Sequence, residues 1–302
     1  MRVIITGGTG LIGRALAADL AADGKQVIVL SRAPERATGL PPGVRAVRWD
    51  AHTAEGWGAL VDGCDAIVNL AGQNLLGYWT AERKRRIRES RLDAGRAVTA
   101  AVEQAKVKPH VVVQASGVGY YGPHGDEEIL EDAPPGEDFL AQTALAWEDA
   151  TAAVEALGVR RAIIRSGLVL STGGGALPLI TLPFRFFVGG PLGGGRQWFP
   201  WVHLADAVRA IHFLIEDQAA SGPFNLVAPG ALTNASFSRV LGRTMRRPSF
   251  IPIPAFALRL LLGEMSTLAL VGQRAVPRRL SDLGFTFRFP DAEAALRDLL
   301  RH

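Results

Sequence analysis

The sequence predicts an α/β fold, a doubly wound parallel sheet with a smaller, partly helical region after it. Three observations carry that prediction. Short β-branched runs alternate with longer helical patterns over the first two thirds of the chain. The runs are apolar without strict alternation, so both faces are buried, as when helices cover both sides of a parallel sheet. A glycine-rich turn, Thr6-Gly7-Gly8-Thr9-Gly10-Leu11-Ile12-Gly13, joins the first run to the first helical pattern, as in dinucleotide-binding sheets of the Rossmann type.

The elements follow in order. Residues 3–6, 26–30, 45–48, 66–70, 110–115 and 161–165 read as strands. Residues 11–22, 80–104 and 139–157 read as the helices between them. After Arg165 the pattern changes. Residues 171–195 are rich in Gly and Pro and read as loops around one short helix. Residues 203–216 read as a helix and 224–227 as a short strand. Residues 233–243 read as a helix with Thr233 as its N-cap. Breakers fill 248–254, and 255–302 reads as mostly helical. Three regions are therefore expected: a nucleotide-binding domain over 1–170, its sheet completed by 196–230; substrate-region loops and helices over 171–250; and a helical C-terminal domain over 251–302.

Composition narrows the function classes. With 302 residues, 48% of them hydrophobic, the chain buries a sizeable core. Its single cysteine, Cys64, excludes a disulfide scaffold and any Cys-based metal cluster and fits a reducing compartment, so a cytoplasmic location is expected. The N-terminus lacks a signal-peptide layout, because glycines, Arg14 and Asp19 interrupt its apolar stretch. No apolar run approaches the ~18 residues of a membrane span. A net charge of +4 does not argue for nucleic acid. Neither a membrane nor a nucleic acid is expected as a partner; a small-molecule substrate is.

The spacing Gly7-x-x-Gly10-x-x-Gly13 has a physical rationale. Glycine bends the turn, lets backbone meet a pyrophosphate and packs helix on sheet. The helix start offers free N–H groups and a positive dipole end to the anion. Thr9, Leu11 and Ile12 belong to the same cradle. At the end of the second strand stand Ser31 and Arg32, with no acid in the place that binds a ribose 2′-hydroxyl. An arginine there either accommodates a 2′-phosphate, which favours NADP over NAD, or is a solvated loop residue. Asp50 follows the third strand and either accepts from an adenine amino group or caps a turn. Leu70, Ala71 and Gly72 leave the fourth strand with small residues, either clearing room for the cofactor backbone or making an ordinary turn.

With these motifs on the page, the chain resembles the extended short-chain dehydrogenase/reductases, the nucleotide-sugar epimerase and dehydratase group. Within that group it is similar to an atypical branch of epimerase-family proteins, some labelled cell-division-inhibitor-like, with a C-terminal domain of unknown function. Further marks are Ser90-Arg91-Leu92, Gly119-Tyr120-Tyr121-Gly122, Arg165-Ser166-Gly167, Phe199-Pro200-Trp201-Val202-His203 and Leu262-Gly263-Glu264-Met265. The resemblance implies a cofactor laid across the glycine turn, Ser31-Arg32 and Leu70-Ala71-Gly72. It also implies Arg91 and Val169 as cofactor neighbours.

The group's catalytic pattern is a serine followed by Tyr-x-x-x-Lys, in which the lysine lowers the tyrosine pKa. This chain departs from it. Four residues after Tyr78, Tyr120 and Tyr121 stand Glu82, His124 and Gly125. Aligning Glu148 with the group's helix pattern puts Leu140 and Ala144 at the Tyr and Lys positions. Gly117 falls at the serine position, with Ser116 beside it. Tyr120 and Ser116 are the candidate catalytic residues that remain. Two functions follow: an NADP-dependent oxidoreductase or epimerase-like enzyme, or a non-catalytic NADP-binding sensor or interaction protein. Among the remaining polar groups, Arg185 and Arg196 are candidates to meet an anionic substrate. His203 and Asp206 read as a capping or packing pair, or as two metal ligands lacking a third. Phe184, Phe186, Phe187, Trp198, Phe199 and Trp201 read as core or as an apolar pocket lining.

Overall fold

The computed structural model describes residues 1–300. Its strands are β1 Arg2–Thr6, β2 Gln26–Ser31, β3 Val44–Arg48, β4 Ala66–Asn69, β5 Val111–Gly117, β6 Glu128–Ile129, β7 Arg160–Ser166, β8 Leu168–Leu170, β9 Trp201–His203, β10 Gly222–Leu226 and β11 Arg274–Ala275. Its helices are α1 Leu11–Ala22, α2 Ala81–Gln104, α3 Phe139–Asp149, α4 Leu177–Arg185, α5 Leu204–Glu216, α6 Asn234–Met245, α7 Ala255–Leu262, α8 Thr267–Leu270, α9 Arg278–Asp282 and α10 Ala292–Leu300.

Seven strands form one sheet in the order β3-β2-β1-β4-β5-β7-β10, and every pairing is parallel. Ile4 of β1 stands between Ile28 of β2 and Ile67 of β4. Strand order reverses between β1 and β4. Their C-terminal ends therefore open the crevice where doubly wound sheets bind ligands.

Both faces of the sheet are covered. Val3, Ile5 and Val29 pack with Leu16, Leu20, Ile211 and Leu214 of α1 and α5. Ile4, Ile28 and Ile67 point the other way, into a cluster with Trp57, Ala94, Val98 and Val102. The alternation along each strand sends neighbours to opposite faces, and both faces are dry. Gly95 lets α2 meet the end of α3, since a Cβ there would stand 2.5 Å from the Cβ of Ala150.

The expected helix over 139–157 is two pieces. α3 ends at Asp149, and a 3₁₀ turn runs over Ala152–Leu157. The Glu148 carbonyl explains the break. It accepts from the Thr151 hydroxyl at 3.3 Å and from Arg161 Nη1 at 2.7 Å. Such side-chain bonds compete with the helical ladder.

Residues 196–230 supply β10, the seventh strand. The later chain interleaves with the first part. β11 pairs with β6, and Leu280, Phe285 and Phe287 enter the cluster under α1 and α5. The terminal Arg301 and His302, part of the stretch expected to be mostly helical, lie outside the described residues.

Candidate functional site

The glycine turn sits at the C-terminal end of β1, in the crevice. Gly7 has φ +65°, and a Cβ on it would stand 2.8 Å from the Leu70 carbonyl. A Cβ on Gly13 would stand 2.5 Å from Gly7 O. These two glycines are required by backbone packing alone. Gly10 differs: it is exposed, and a Cβ there would meet only Gly7 O, at 3.2 Å. It is the N-cap of α1, and no side chain caps that helix. Leu11 and Ile12 open it, both half-buried. An uncapped helix start beside an open glycine is a ready anion site.

A buried polar row fixes the loops around it. Thr6 Oγ1 donates to Asn69 Oδ1 at 2.5 Å and accepts from Ala71 N at 3.2 Å. Asn69 Nδ2 donates to Gln114 Oε1 at 2.9 Å. The ends of β1, β4 and β5 are thereby tied across the switch point. Gln114 carried no signal in the sequence, because a polar residue inside an apolar strand is interpretable only once its partners are known.

Ser31 is buried at the end of β2, and its Oγ accepts from Ala33 N at 3.2 Å. Arg32 is exposed, and among the described residues its guanidinium makes no hydrogen bond or ion pair. The nearby acid, Glu35, is held by Arg48 Nη2 at 2.9 Å. Glu35 thus pairs with Arg48 and not with Arg32. Trp49 N donates to Ser31 O, which puts Asp50 just beyond. Asp50 Oδ1 accepts from His52 N and Thr53 N, both at 2.8 Å, and Oδ2 from the Thr53 hydroxyl at 2.7 Å. It caps a turn. Partial burial pushes its pKa up, but the Thr53 and His52 donors outweigh that and hold it below the ordinary value.

Arg91 lies against the loop after β4. A Cβ on Gly72 would stand 3.1 Å from Arg91 Cζ. The guanidinium stacks over the Trp147 ring at 4.8 Å and donates from Nη1 to Gln73 O and Ile87 O. It is only 8% exposed and has no carboxylate partner among the described residues, and burial pulls its pKa down to about 10. A buried cation without a counter-ion is a candidate contact for an anion. Val169, half-buried in β8, closes the far side. Its carbonyl is 3.6 Å from where a Cβ on Gly175 would be, and that same position is 3.3 Å from Leu11 of α1. Gly7, Leu70, Ala71, Gly72, Arg91, Leu11 and Val169 thus gather around one crevice.

The catalytic candidates behave differently. Ser116 is buried, and its Oγ donates to Glu148 Oε1 at 2.6 Å. Glu148 also binds Arg165 through both carboxylate oxygens, each at 2.9 Å. Arg165 Nη1 donates to Tyr121 Oη at 3.1 Å and to Glu131 O at 3.0 Å, and Tyr121 Oη donates to Asn225 Oδ1 at 2.7 Å. Burial pushes the Tyr121 phenol up to about 12. Ser116 and Tyr121 are therefore spent inside a closed network. The sequence showed its members separately and not that they meet.

Tyr120 is the exception. Its ring packs under Arg165, 3.5 Å from Cζ. Burial raises its pKa, so the phenol keeps its proton at neutral pH. A Cβ on Gly119 would stand 3.4 Å from Leu140 Cβ. Leu140 thus faces this turn, and Ala144, one helical turn on, is buried without a charge.

Other polar candidates have structural tasks. His203 Nδ1 accepts from Ala205 N at 3.0 Å, capping α5. Asp206 is fully buried and accepts from Arg288 N and Phe289 N, each at 2.8 Å. Of the described residues, Asp23, His212 and Glu216 form the one cluster with metal-ligand chemistry. Lys25 Nζ already stands 3.1 Å from Asp23 and 2.9 Å from Glu216. Phe184 and Trp201 are core, whereas Phe186 and Phe187 are 70% and 56% exposed and belong to neither core nor pocket. The cavity lined by Trp198, Phe199, Pro200 and Trp201 is only about 10 Å³, the size of one water.

Comparison with known proteins fits this crevice. Residues 3–227 match the NAD dependent epimerase/dehydratase family, and residues 253–299 match a domain of unknown function, DUF1731. The epimerase family protein YfhF of Bacillus subtilis is 38% identical over 301 residues, covering 99% of this chain and 98% of that protein. The crystal structure of human epimerase family protein SDR39U1 (isoform 2) with NADPH has a TM-score of 0.89 at 36% identity, covering 99% of each chain. A nucleoside-diphosphate sugar epimerase structure from Corynebacterium glutamicum has a TM-score of 0.79 at 35% identity, covering 99% of this chain and 58% of that one. With the sheet, the glycine turn and these full-length relatives in agreement, the chain belongs to the NAD-dependent epimerase/dehydratase family, in the epimerase-family branch with a DUF1731 C-terminal region.

Proposed function

We propose that this protein binds NADPH across the switch point and works as an atypical oxidoreductase or epimerase-like enzyme on a small substrate. One observation carries the reading: an uncapped glycine-rich helix start follows β1, Arg91 packs against the loop after the neighbouring β4, Arg32 stands just past the end of the neighbouring β2, and among the described residues neither cation has a carboxylate partner. The uncapped amides fit a pyrophosphate. Arg32, with Glu35 occupied by Arg48, fits a ribose 2′-phosphate. The human relative solved with NADPH supports the same cofactor.

NADPH, when bound, supplies a hydride. This chain's own residues bind and orient it and offer a proton. Tyr120 is the group for that, because its phenol stays protonated and Ser116 is committed to Glu148. It acts as a donor rather than a base, since no lysine depresses its pKa. The closed network of Ser116, Glu148, Arg165 and Tyr121 favours a second reading, a sensor that binds NADPH without turnover. The buried, unpaired Cys64 supports a cytoplasmic, reducing location for either.

Calorimetry with NADPH and NADH on wild type and Arg32→Ala tests the cofactor. Losing one charge-assisted contact weakens NADPH by about 10- to 100-fold and leaves NADH unchanged. Equal NADPH affinity in the two proteins removes the argument from Arg32. Absorbance assays with NADPH and a panel of carbonyl compounds separate the two readings. Turnover that Tyr120→Phe abolishes supports the enzyme, and tight binding without turnover supports the sensor.

A further inference from the structure

Phe186, Phe250, Phe256, Leu260 and Leu261 are each 70% or more exposed, and no other large apolar side chain of the described residues reaches that. They fall on two adjacent stretches, the turn after α4 and the segment leading through α7. Ile251 N donates to Gly189 O at 3.2 Å, Ile253 N to Pro191 O at 2.9 Å, and Gly193 N to Ile253 O at 2.8 Å. α7 buries only Leu258, and Phe256 and Leu260, four residues apart, share its outer face. Among the described residues three non-glycine residues have positive φ, and two are here: Phe187 at +63° and Arg246 at +54°. For a bulky side chain such as Phe187 that conformation is costly.

The charges on these stretches are basic, and the first carboxylate after α7, Glu264, is paired with Lys84 Nζ at 2.8 Å. Residues 171–205 and 218–263 contain no Asp or Glu. Arg185, Arg243, Arg246, Arg247 and Arg259 are exposed there. Among the described residues none of them forms an ion pair. Arg247 lies over the Phe187 ring at 4.4 Å, so cations and apolar tips are intermixed.

This chemistry selects the occupant. A second copy joined by a two-fold axis would set arginines against arginines, with the nearby carboxylate Glu264 already held by Lys84. A bound peptide needs a groove or a free strand edge, whereas the apolar tips here protrude from the outer face of α7, which buries only Leu258. Protruding phenylalanine and leucine tips among arginines suit an anionic bilayer, the tips entering the acyl boundary and the guanidinium groups meeting headgroups. We infer that the face built by α4, the turn after it and α7 docks on an anionic lipid bilayer. It docks without spanning: no helix is long and apolar enough to cross a membrane among the described residues. This departs from the expectation of no membrane partner, which rests on the lack of a spanning run and does not bear on an exposed face. Because Gly175, just before α4, packs on Leu11, docking holds the mouth of the cofactor crevice near the bilayer.

Flotation of the full-length protein tests this, using phosphatidylcholine vesicles with and without about one-third phosphatidylglycerol. Binding to the acidic vesicles and not the neutral ones is expected, and added salt weakens it. Phe256→Ser with Leu260→Ser lowers it by about tenfold or more. Arg243→Gln with Arg247→Gln lowers it by about fivefold per arginine. NADPH calorimetry on each variant shows that it is folded, and the arginine pair serves if the apolar pair is not. Absent binding, equal binding to both vesicles, or variants that bind like wild type overturn the inference. So does a concentration-dependent dimer lost in the Phe256/Leu260 variant, or equal affinity for a polyglutamate peptide. None of these results bears on the cofactor, which is measured separately.

Discussion

Replacing Glu148 with glutamine is the sharpest test of the network beside the crevice. Glu148 and Arg165 are 7% and 5% exposed, and the carboxylate accepts from three donors: Arg165 Nε, Arg165 Nη2 and the Ser116 hydroxyl. Glutamine has the same shape but one carbonyl oxygen and an amide N–H₂. One prong of the Arg165 fork must then face a donor, and the buried guanidinium loses its counter-ion. Breaking such a pair from one side costs about 3–5 kcal/mol. Unfolding entropy near 2.1 cal/mol/K per residue converts this to a fall of about 5–8 °C in Tm for a chain of 302 residues. Calorimetry or near-ultraviolet circular dichroism reads it. Removing both charges, as Glu148→Leu with Arg165→Met, recovers part of the loss, because the desolvation of both ions disappears with them. A Glu148→Gln protein that melts within about 1 °C of wild type would refute the reasoning, since it would mean that the pair is hydrated in solution. NADPH affinity should change little, because neither residue touches the glycine turn.

Three further outcomes follow from the same structure. Gly72→Ala puts a Cβ 3.1 Å from Arg91 Cζ. The guanidinium must shift, and NADPH affinity measured by calorimetry should fall by about tenfold. Stability should decline on the alkaline side. Burial holds the Tyr121 phenol at about 12 when folded, against an unfolded value near 10. The folded chain thus keeps that proton longer; its contribution is whole below about pH 10 and lost as pH rises towards 12. Melting scans across that range check it, and Tyr121→Phe should flatten the decline. Burial likewise pushes the Cys64 thiol up to about 12. It should resist a thiol reagent at pH 8 and react only on unfolding; fast labelling of the native protein would contradict its burial.

Much of the fold was legible because the physics is local. The apolar runs that became β1, β2, β4, β5 and β7 are contiguous in sequence, and burial on both faces leaves a mark in each run separately. The glycine turn was legible for the same reason, since Gly7 and Gly13 answer to neighbours within a few residues or to the adjacent strand. The two-residue strands β6 and β11 were not legible. They pair across more than a hundred positions and are too short to carry a pattern. The end of α3 at Asp149 was hidden too, because the carbonyl that ends it is claimed by Arg161, on a different element.

The crevice divides along the same line. The sequence by itself determined the glycine-rich turn of a dinucleotide-binding sheet and that the usual Tyr-x-x-x-Lys pair is missing, because both depend on residue identity at fixed spacing. Only the tertiary structure decided which polar groups remain available. It joined Ser116 to Glu148, Glu148 to Arg165 and Arg165 to Tyr121, and left Arg91 buried without a counter-ion among the described residues. Whether a side chain is satisfied depends on partners brought from distant parts of the chain. That is a property of packing, and no local spacing encodes it.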